Sequence, residues 1–244
     1  MQDRRNICAI GVMAKAPQPG RAKTRLCPPL GPEQAAQLSA AFLRDITENI
    51  ALAARSVPIY GCIAFAPLGT EGWFDGHVAD GTEFVLADGS PPMPPDVQGF
   101  GRCLLHAIQS MLGAGFGATC VVNSDSPTLP TAVLTDAARA LLEPGERIVL
   151  GEADDGGYYL LGMKQPHAHL FADIAWSTGS VAAATRARAA ELGLQVVSLP
   201  IWYDVDDAAS LARLMADAGE DQRAYPAPAT KACLARFQLP VAAQ

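Results

Sequence analysis

The chain has 244 residues, half of them hydrophobic, and a formal net charge of −7. This length and apolar content suit a single α/β domain with a sizeable buried core. The acidic balance argues against a nucleic-acid-binding surface, which is usually basic, so we expect small-molecule partners and no nucleic acid.

The cysteines and the apolar runs indicate a cytoplasmic protein without a membrane span. None of the six cysteines has the C-x-x-C spacing of a zinc or redox site, which favours buried thiols in a reducing compartment. The first apolar run is too short for a signal peptide, and no run reaches transmembrane length.

The first strand and the first helix flank a long loop. The apolar run Ile7–Met13 predicts a buried strand, and Pro32 opens a helix with an apolar residue at every fourth position. That stripe consists of Leu38, Phe42, Ile46 and Ile50. A loop after the first strand of an open α/β sheet is where such folds bind ligands.

This loop, Met13–Leu26, carries four cations and no carboxylate: Lys15, Arg21, Lys23 and Arg25. With Gly20 and the loop's backbone N–H groups, such side chains suit the oxygens of a phosphate. It is not a Walker A loop, because Ala22 rather than glycine precedes Lys23-Thr24. A solvated basic loop is the alternative interpretation.

Two strands, a proline-rich loop and a helix follow. Pro58–Ala66 and Glu83–Leu86 predict strands, and Cys103–Leu112 predicts a short helix. The prolines of Asp88–Gly101 exclude a helix or a central strand between them. A loop of this length in a compact domain is usually functional or disordered.

A carboxylate follows the next apolar run. The run that ends in Val121-Val122 predicts a central strand, and Asp125 comes directly after it, at the same sheet edge as the cationic loop. Such a carboxylate suits Mg²⁺ or Mn²⁺ that also contacts phosphate oxygens. The alternative is an ordinary turn in which Asp125 caps the helix predicted over Thr131–Leu142.

A glycine pair follows the strand predicted over Arg147–Leu150. Gly156-Gly157 lets the backbone approach a ligand closely, and Tyr158 or the tyrosine after it could face a substrate. Asp154 or Asp155 then lies at the rim of the crevice, where a carboxylate could bind an acceptor hydroxyl, bind a metal or act as a base. A simple Asp-Gly-Gly hairpin turn is the rival interpretation.

Helix and strand continue to alternate in the last third of the chain. Trp176-Ser177-Thr178 precedes a helix over Val181–Leu192, and a strand over Gln195–Leu199 leads to Asp204-Val205-Asp206-Asp207. A helix begins at Ala208, and the last two of these aspartates are both suited to cap it.

The histidine pair and the C-terminal part of the chain add nothing to the predicted site. His167-Ala-His169 has no carboxylate or thiol at ligand spacing, so we expect no metal there. We place one domain over residues 1–220 and an Ala/Pro-rich extension over residues 221–244, either wrapped onto the domain or mobile.

Several motifs in this order resemble a known family. The quoted matches are Lys15-Ala-Pro-x-Pro-Gly20-x-x-Lys23-Thr24-Arg25-Leu26, Asp125-x-Pro127, Asp155-Gly-Gly-Tyr158, Trp176-Ser-Thr178 and Asp204-x-Asp206. They resemble the selenodomain-associated transferase 1 family in the GT-A-like nucleotide-diphospho-sugar transferase superfamily. The opening motif is similar, more distantly, to that of 2-phospholactate guanylyltransferases. The resemblance implies a GT-A-like, Rossmann-like three-layer α/β sandwich, with a mostly parallel central sheet and helices on both faces.

The resemblance also implies a role for each motif. Asp125 and Asp206 would hold Mg²⁺ or Mn²⁺, and Asp125 and Asp155 would be the catalytic carboxylates. Phosphates of the nucleotide would contact the opening motif, at Lys15, Gly20, Lys23 and Arg25. The substrate-binding residues would be Gln98, Gly156, Gly157, Tyr158 and Trp176, with Trp176 on the acceptor side of the pocket. The chain departs from the pattern after Gln98, where Asp-Leu-Gly is missing, and after Asp206.

Two reactions share this machinery. In glycosyl transfer a nucleotide-sugar donor passes its sugar to a small-molecule acceptor, whereas in nucleotidyl transfer a nucleoside triphosphate loses pyrophosphate to one. The superfamily favours metal-dependent glycosyl transfer, and the opening motif keeps nucleotidyl transfer as the alternative. A nucleotide-binding protein without catalysis is the third interpretation.

Overall fold

The computed structural model describes residues 3–217 and 221–237. The predicted domain boundary at residue 220, the first two residues and the last seven residues of the predicted extension lie outside the described residues.

The described residues form an α/β structure. The strands are β1 (Cys8–Lys15), β2 (Ile59–Ala66), β3 (Glu83–Leu86), β4 (Ala118–Asn123), β5 (Arg147–Glu152), β6 (Tyr158–Met163) and β7 (Gln195–Ser198). The helices are α1 (Pro32–Ala53), α2 (Phe100–Gly113), α3 (Thr131–Leu142), α4 (Val181–Glu191), α5 (Ala208–Ala216) and α6 (Pro228–Leu234). Short 3-10 turns span Thr24–Leu26, Glu71–Phe74 and Ala168–Phe171.

The strands form one sheet in the order β3-β2-β1-β4-β6-β5-β7. Only β6 runs antiparallel to its neighbours in this sheet of the described residues; the other pairs are parallel. The predicted mostly parallel sheet is confirmed. The strand order reverses between β1 and β4, and open α/β sheets bind ligands beside such a switch point.

Helices cover both faces of the sheet, as predicted for a three-layer sandwich. One core cluster joins β1 and β4 to α1 and α3, and a second cluster joins the opposite face of the sheet to α2. The apolar stripe of α1 divides between two clusters. Ile46 and Ile50 pack in the core beneath the sheet, whereas Leu38 and Phe42 pack with Leu26 and α5.

Several element boundaries differ from the prediction by one to three residues. Helix α2 begins at Phe100, three residues earlier than expected, after Gly99 with φ 54° and no side-chain cap, so the sequence carried no capping signal there. Strand β1 continues to Lys15 because its last residues pair with Phe65 and Ala66 of β2.

The buried-thiol prediction holds for four of the six cysteines. Cys8, Cys62, Cys120 and Cys233 are buried, Cys27 and Cys103 are half-buried, and all six are free thiols. Among the helices of the described ranges, none combines the length and the apolar character that crossing a bilayer requires.

Helix α6 lies against α1 through a buried carboxylate. Asp45 of α1 is 1% exposed, and its two oxygens accept hydrogen bonds from the backbone N–H groups of Ala229 and Thr230, at 3.0 and 2.7 Å. These are among the first N–H groups of α6, which have no partner within the helix. The described part of the predicted extension is therefore wrapped onto the domain.

We expect Asp45→Ala to lower the free energy of unfolding by about 2 kcal/mol, because two buried N–H groups lose their acceptor. In a chain of this size that is a fall in melting temperature of roughly 4–8 °C. The control is Asp136→Ala, which removes an aspartate exposed on α3 that pairs with Arg139 at 3.4 Å. Equal losses in the two variants would contradict the anchoring role.

Candidate nucleotide and metal site

The segments predicted to carry chemistry meet at the carboxyl edge of the sheet. The backbone N–H of Val205 donates to the carbonyl of Asp125 at 2.8 Å, and the Ser126 hydroxyl donates to the carbonyl of Tyr203 at 2.8 Å. The segment after β7 is in this way fixed beside the turn after β4. The aspartates of both segments then face the cationic loop that follows β1.

Lys23 lies between the two predicted metal ligands. Its Nζ is 2.7 Å from Oδ1 of Asp125, 2.8 Å from Oδ1 of Asp206 and 2.8 Å from the carbonyl oxygen of Val205. Two of these contacts are hydrogen bonds, to Asp206 and to Val205, and the contact with Asp125 is an ion pair. The side chain is only 7% exposed. The lysine predicted to bind phosphate is thus an ion-pair partner of both carboxylates here.

The local backbone explains how Lys23 reaches this position. Lys23 is in the left-handed region, with φ 49° and ψ 39°, and the 3-10 turn Thr24–Leu26 begins directly after it. Leu26 is fully buried and anchors the turn against α1. The ring of Phe42 lies beneath the ammonium, 5.5 Å from Nζ to the ring centroid.

Negative charge exceeds positive charge around Lys23. Burial, together with the negative charges of Asp206, Asp155 and Asp125, raises the pKa of Asp204 to about 7. Burial also works against the charges of the ion pair, but the attraction between its members prevails. The pKa of Lys23 is raised and that of Asp206 is lowered. Two aspartates therefore contact the ammonium, and the charges of two more, Asp204 and Asp155, act in the same cluster.

The structure distinguishes the two aspartates before the glycine pair. Asp154 forms an ion pair with Arg213 of α5, at 2.5 Å from Oδ2 to Nη1. Asp155 accepts a hydrogen bond from the backbone N–H of Gly157 at 2.8 Å, and its charge acts on Asp204. Of the two, Asp155 is the one associated with the aspartate cluster.

The close approach that Gly156 permits is to the chain itself. Its φ is +86°, and a Cβ on it would lie 2.1 Å from the carbonyl oxygen of Gly179. Its carbonyl also accepts a hydrogen bond from the N–H of Ala182 at 3.0 Å. The expectation that Gly156 makes room for a ligand is corrected in this respect, because the space is filled by the loop before α4.

Two of the predicted substrate-binding residues lie on the face of the sheet that α2 covers. Tyr158 and Trp176 both pack against the cluster of that face. Trp176 stacks edge-to-face on Phe100 with 5.8 Å between ring centroids. Gln98 is exposed at the end of the proline-rich loop, where its amide donates to the carbonyl of Pro95 at 3.1 Å.

Three polar atoms near the carboxyl edge are buried without a hydrogen-bond partner in the part of the chain that the structure describes. They are Oδ1 of Asn123, the hydroxyl of Tyr158 and Nε1 of Trp176. Asn123 ends β4, and burial raises the pKa of Tyr158. The sequence motifs indicated Tyr158 and Trp176, whereas Asn123 carried no signal beyond its place in front of Asp125.

The other cations of the opening motif point outward. Arg25 is 74% exposed, with its Nη1 3.9 Å from Oδ2 of Asp206. Lys15 is exposed at the end of β1. Gly20 has a φ of +72° and open space around it. Arg25 and Lys15 can therefore meet a ligand at the edge without breaking a buried contact.

Asp207 is the residue that caps α5. Its carboxylate accepts a hydrogen bond from the N–H of Ser210 at 2.8 Å. This leaves the neighbouring Asp206 to Lys23, so the capping alternative applies to Asp207 only. The chain departs from the resembled pattern after Asp206 because Asp207 and Ser210 form the N-terminal cap of α5.

Three other polar side chains form contacts within the fold. His167 and His169 pair with different carboxylates, Glu146 at 3.1 Å and Glu191 at 2.6 Å, so they do not form a metal pair. The guanidinium of Arg102 donates to the carbonyl of Gly89 at 2.7 Å.

The aspartate cluster fits a divalent cation in its chemistry. Among residues 3–217 and 221–237, no three His, Cys, Asp or Glu side chains surround one point in metal-ligand geometry. The Asp125 and Asp206 carboxylates nevertheless converge on one cation, the Lys23 ammonium. Carboxylate oxygens are the protein ligands that Mg²⁺ takes together with phosphates. Asp125 and Asp206 would hold the metal.

Neither of two cavities beside the site includes these carboxylates. A cavity of about 430 Å³ lies between α5 and α6, with Leu214, Tyr225 and Leu234 in its lining. A smaller one of about 220 Å³ is lined by Asp154, Trp202 and Arg213. The aspartate cluster is identified by its charge and by its place at the carboxyl edge of the sheet, and not by a deep cavity.

Comparisons with known proteins agree with this fold. A family model described as an uncharacterized protein conserved in bacteria (DUF2064) matches residues 62–178. The crystal structure of a protein from Desulfovibrio desulfuricans G20, whose name as a nucleotide-diphospho-sugar transferase is provisional, is 25% identical. It superposes with a TM-score of 0.76 over 93% of this chain and 94% of that one. No curated protein matches the sequence.

Two more distant structures share the fold alone. A CMP:2-keto-3-deoxy-manno-octonic acid synthetase complexed with CTP is 9% identical, with a TM-score of 0.53 over 88% of this chain and 99% of that one. A nucleotidyl transferase from Methanothermobacter is 15% identical, with a TM-score of 0.52 over 87% of this chain and 97% of that one. The predicted nucleotide-diphospho-sugar transferase fold is confirmed, and the narrower selenodomain-associated family stays a prediction.

Proposed function

We propose that the chain is a metal-dependent transferase that takes the sugar of a nucleotide-diphosphate sugar and passes it to a small-molecule acceptor. The observation that carries this proposal is the convergence of Asp125 and Asp206 on Lys23 at the switch point of the sheet, in a cluster that also includes Asp204 and Asp155. Like charges this close oppose one another's ionisation, and a bound cation relieves that repulsion. An excess of partly buried carboxylates at the carboxyl edge therefore favours cation binding.

Each group then has a defined task. Asp125 and Asp206 hold the cation, which when bound would neutralise charge that develops on the leaving diphosphate. Arg25 and Lys15, both exposed, bind phosphate oxygens of the donor. Asp155 at the rim accepts a hydrogen bond or a proton from the acceptor hydroxyl. Tyr158 and Trp176 belong to the substrate-binding side, where each has one buried polar atom without a hydrogen-bond partner among the described residues.

Glycosyl transfer is preferred to nucleotidyl transfer because the structure of highest similarity cited above bears the name of a nucleotide-diphospho-sugar transferase. Nucleotidyl transfer stays the second candidate, since the opening Lys23-Thr24-Arg25-Leu26 resembles that of guanylyltransferases. Both reactions use the same cation and phosphate contacts. They differ in the donor, a nucleotide sugar or a nucleoside triphosphate, and a binding experiment distinguishes these two ligands.

We expect metal-dependent stabilisation of the protein by one nucleotide sugar. The measurement is the melting temperature with nucleotide sugars and nucleoside triphosphates, each with and without Mg²⁺ or Mn²⁺, because a ligand of the native state raises it. At a ligand concentration of about 100 times Kd the stabilisation is roughly 2.7 kcal/mol. Stabilisation by a triphosphate alone would favour nucleotidyl transfer, and no response to any ligand would contradict the site.

A further inference from the structure

The ammonium of Lys23 occupies the point where two predicted metal ligands converge. We propose that Lys23 is an exchangeable counter-ion: it holds Asp125 and Asp206 in the metal-free protein and exchanges them for a phosphate of the nucleotide when a divalent cation binds. This inference rests on the proposed function, because it assumes that the same two carboxylates bind the cation.

The contacts of Lys23 exclude phosphate binding in the present arrangement. The ammonium donates hydrogen bonds to the carboxylate of Asp206 and to the carbonyl of Val205, both at 2.8 Å, and forms an ion pair with Asp125 at 2.7 Å. The Lys23 side chain is only 7% exposed, so a phosphate oxygen reaches the ammonium only by displacing one of these three oxygens. The ion pair and the predicted phosphate contact are therefore alternative states of one side chain.

The same oxygens would bind the metal. Oδ1 of Asp125 and Oδ1 of Asp206 both lie within 2.8 Å of the ammonium, so a cation held by these two oxygens would take the place of the ammonium. The ammonium brings one charge to a cluster of four carboxylates, and a divalent cation brings two. The exchange is thus favoured by charge and opposed by the hydrogen bonds that Lys23 gives up.

The side chain is able to make this change without refolding the loop. Lysine has a flexible four-carbon stem with a compact charge at its end. The loop in front of it contains Gly20, which has open space around it. Arg25, on the following turn, is 74% exposed, so a phosphate would approach the loop from the side on which Arg25 lies.

The exchange predicts that removing the ammonium strengthens metal binding. We expect Lys23→Met to bind Mn²⁺ at least about tenfold more tightly than the unchanged protein, because a competing unit charge in contact with the ligands is gone. Binding is followed through the electron paramagnetic resonance signal of free Mn²⁺, which does not require turnover. Lys23→Gln, which is neutral but retains a donor, should behave in the same direction.

Arg25→Met is the matched control. It also removes one positive charge beside Asp206, but from a side chain 3.9 Å away and 74% exposed, so we expect less than about a threefold change in Mn²⁺ affinity. With Mn²⁺ and pyrophosphate together, Lys23→Met should show a smaller rise in melting temperature than the unchanged protein, because the phosphate partner is missing.

The outcomes separate this inference from the proposed function. Mn²⁺ binding that is weaker in Lys23→Met and Lys23→Gln would mean that Lys23 only positions the carboxylates, and would overturn the exchange while leaving the metal site intact. Equal gains in Lys23→Met and Arg25→Met would overturn it as well. An unchanged protein that binds no Mn²⁺, with or without pyrophosphate, would overturn the proposed function.

Discussion

Asp125→Asn is expected to reduce Mn²⁺-dependent nucleotide binding by about 100-fold or more. Even supporting residues around a metal commonly change its affinity by about 10- to 100-fold, and Asp125 is proposed as a direct ligand. The neutral amide keeps the size of the side chain and can still accept a hydrogen bond from Lys23. The effect is measured directly as the Kd for the nucleotide, by calorimetry with and without Mn²⁺.

The control for this variant is Asp136→Asn, which removes a carboxylate of the same type from the exposed surface of α3. Its nucleotide affinity should equal that of the unchanged protein. The melting temperature without ligand shows whether Asp125→Asn still folds, since Lys23 keeps its contacts with Asp206 and Val205. Normal Mn²⁺-dependent binding by a folded Asp125→Asn protein would remove Asp125 from the site.

The fold could be predicted from the sequence because its signals are local. The helix over Thr131–Leu142 and the strand over Glu83–Leu86 have the observed bounds. Strand alternation also placed the loop after β1 and Asp125 at one edge, since the carboxyl ends of parallel strands meet there. The bounds differed at Gly99, where the helix begins without a capping side chain.

The arrangement within the candidate site could not be predicted, because it depends on contacts between distant segments. Whether Lys23 faces a phosphate or a carboxylate depends on its left-handed backbone and on Asp206, 183 residues later. Asp154 pairs with Arg213, 59 residues further along the chain, so Asp155 is the one that belongs to the aspartate cluster. No periodicity or motif spacing contains these pairings.

The glycine pair is the clearest case of a motif whose physical reason differs from the expected one. Gly156 was interpreted as space for a ligand, yet its Cα faces the carbonyl of Gly179 in the loop that also carries Trp176. Ala182 donates to the Gly156 carbonyl and fixes the start of α4 to the same turn. The pair therefore joins the carboxylate rim to the predicted acceptor side.

Gly156→Ala should be among the most destabilising single substitutions near the site. A φ of +86° is unfavourable for alanine by about 1–2 kcal/mol. The new methyl would also lie 2.1 Å from the Gly179 carbonyl oxygen, and relieving such an overlap typically costs about 1–3 kcal/mol. We expect a loss of roughly 3 kcal/mol, or a fall in melting temperature of about 6–12 °C.

Gly81→Ala provides the matched control, because Gly81 has a φ of +80° and nothing within 4 Å of the position of a Cβ. This variant has the backbone strain without the overlap, so its loss should stay within about 1–2 kcal/mol. The difference between the two variants isolates the contact with Gly179. If both variants unfold at the same temperature, the 156–179 contact does not hold the rim and the Trp176 loop together, and the conformational argument alone explains the glycine.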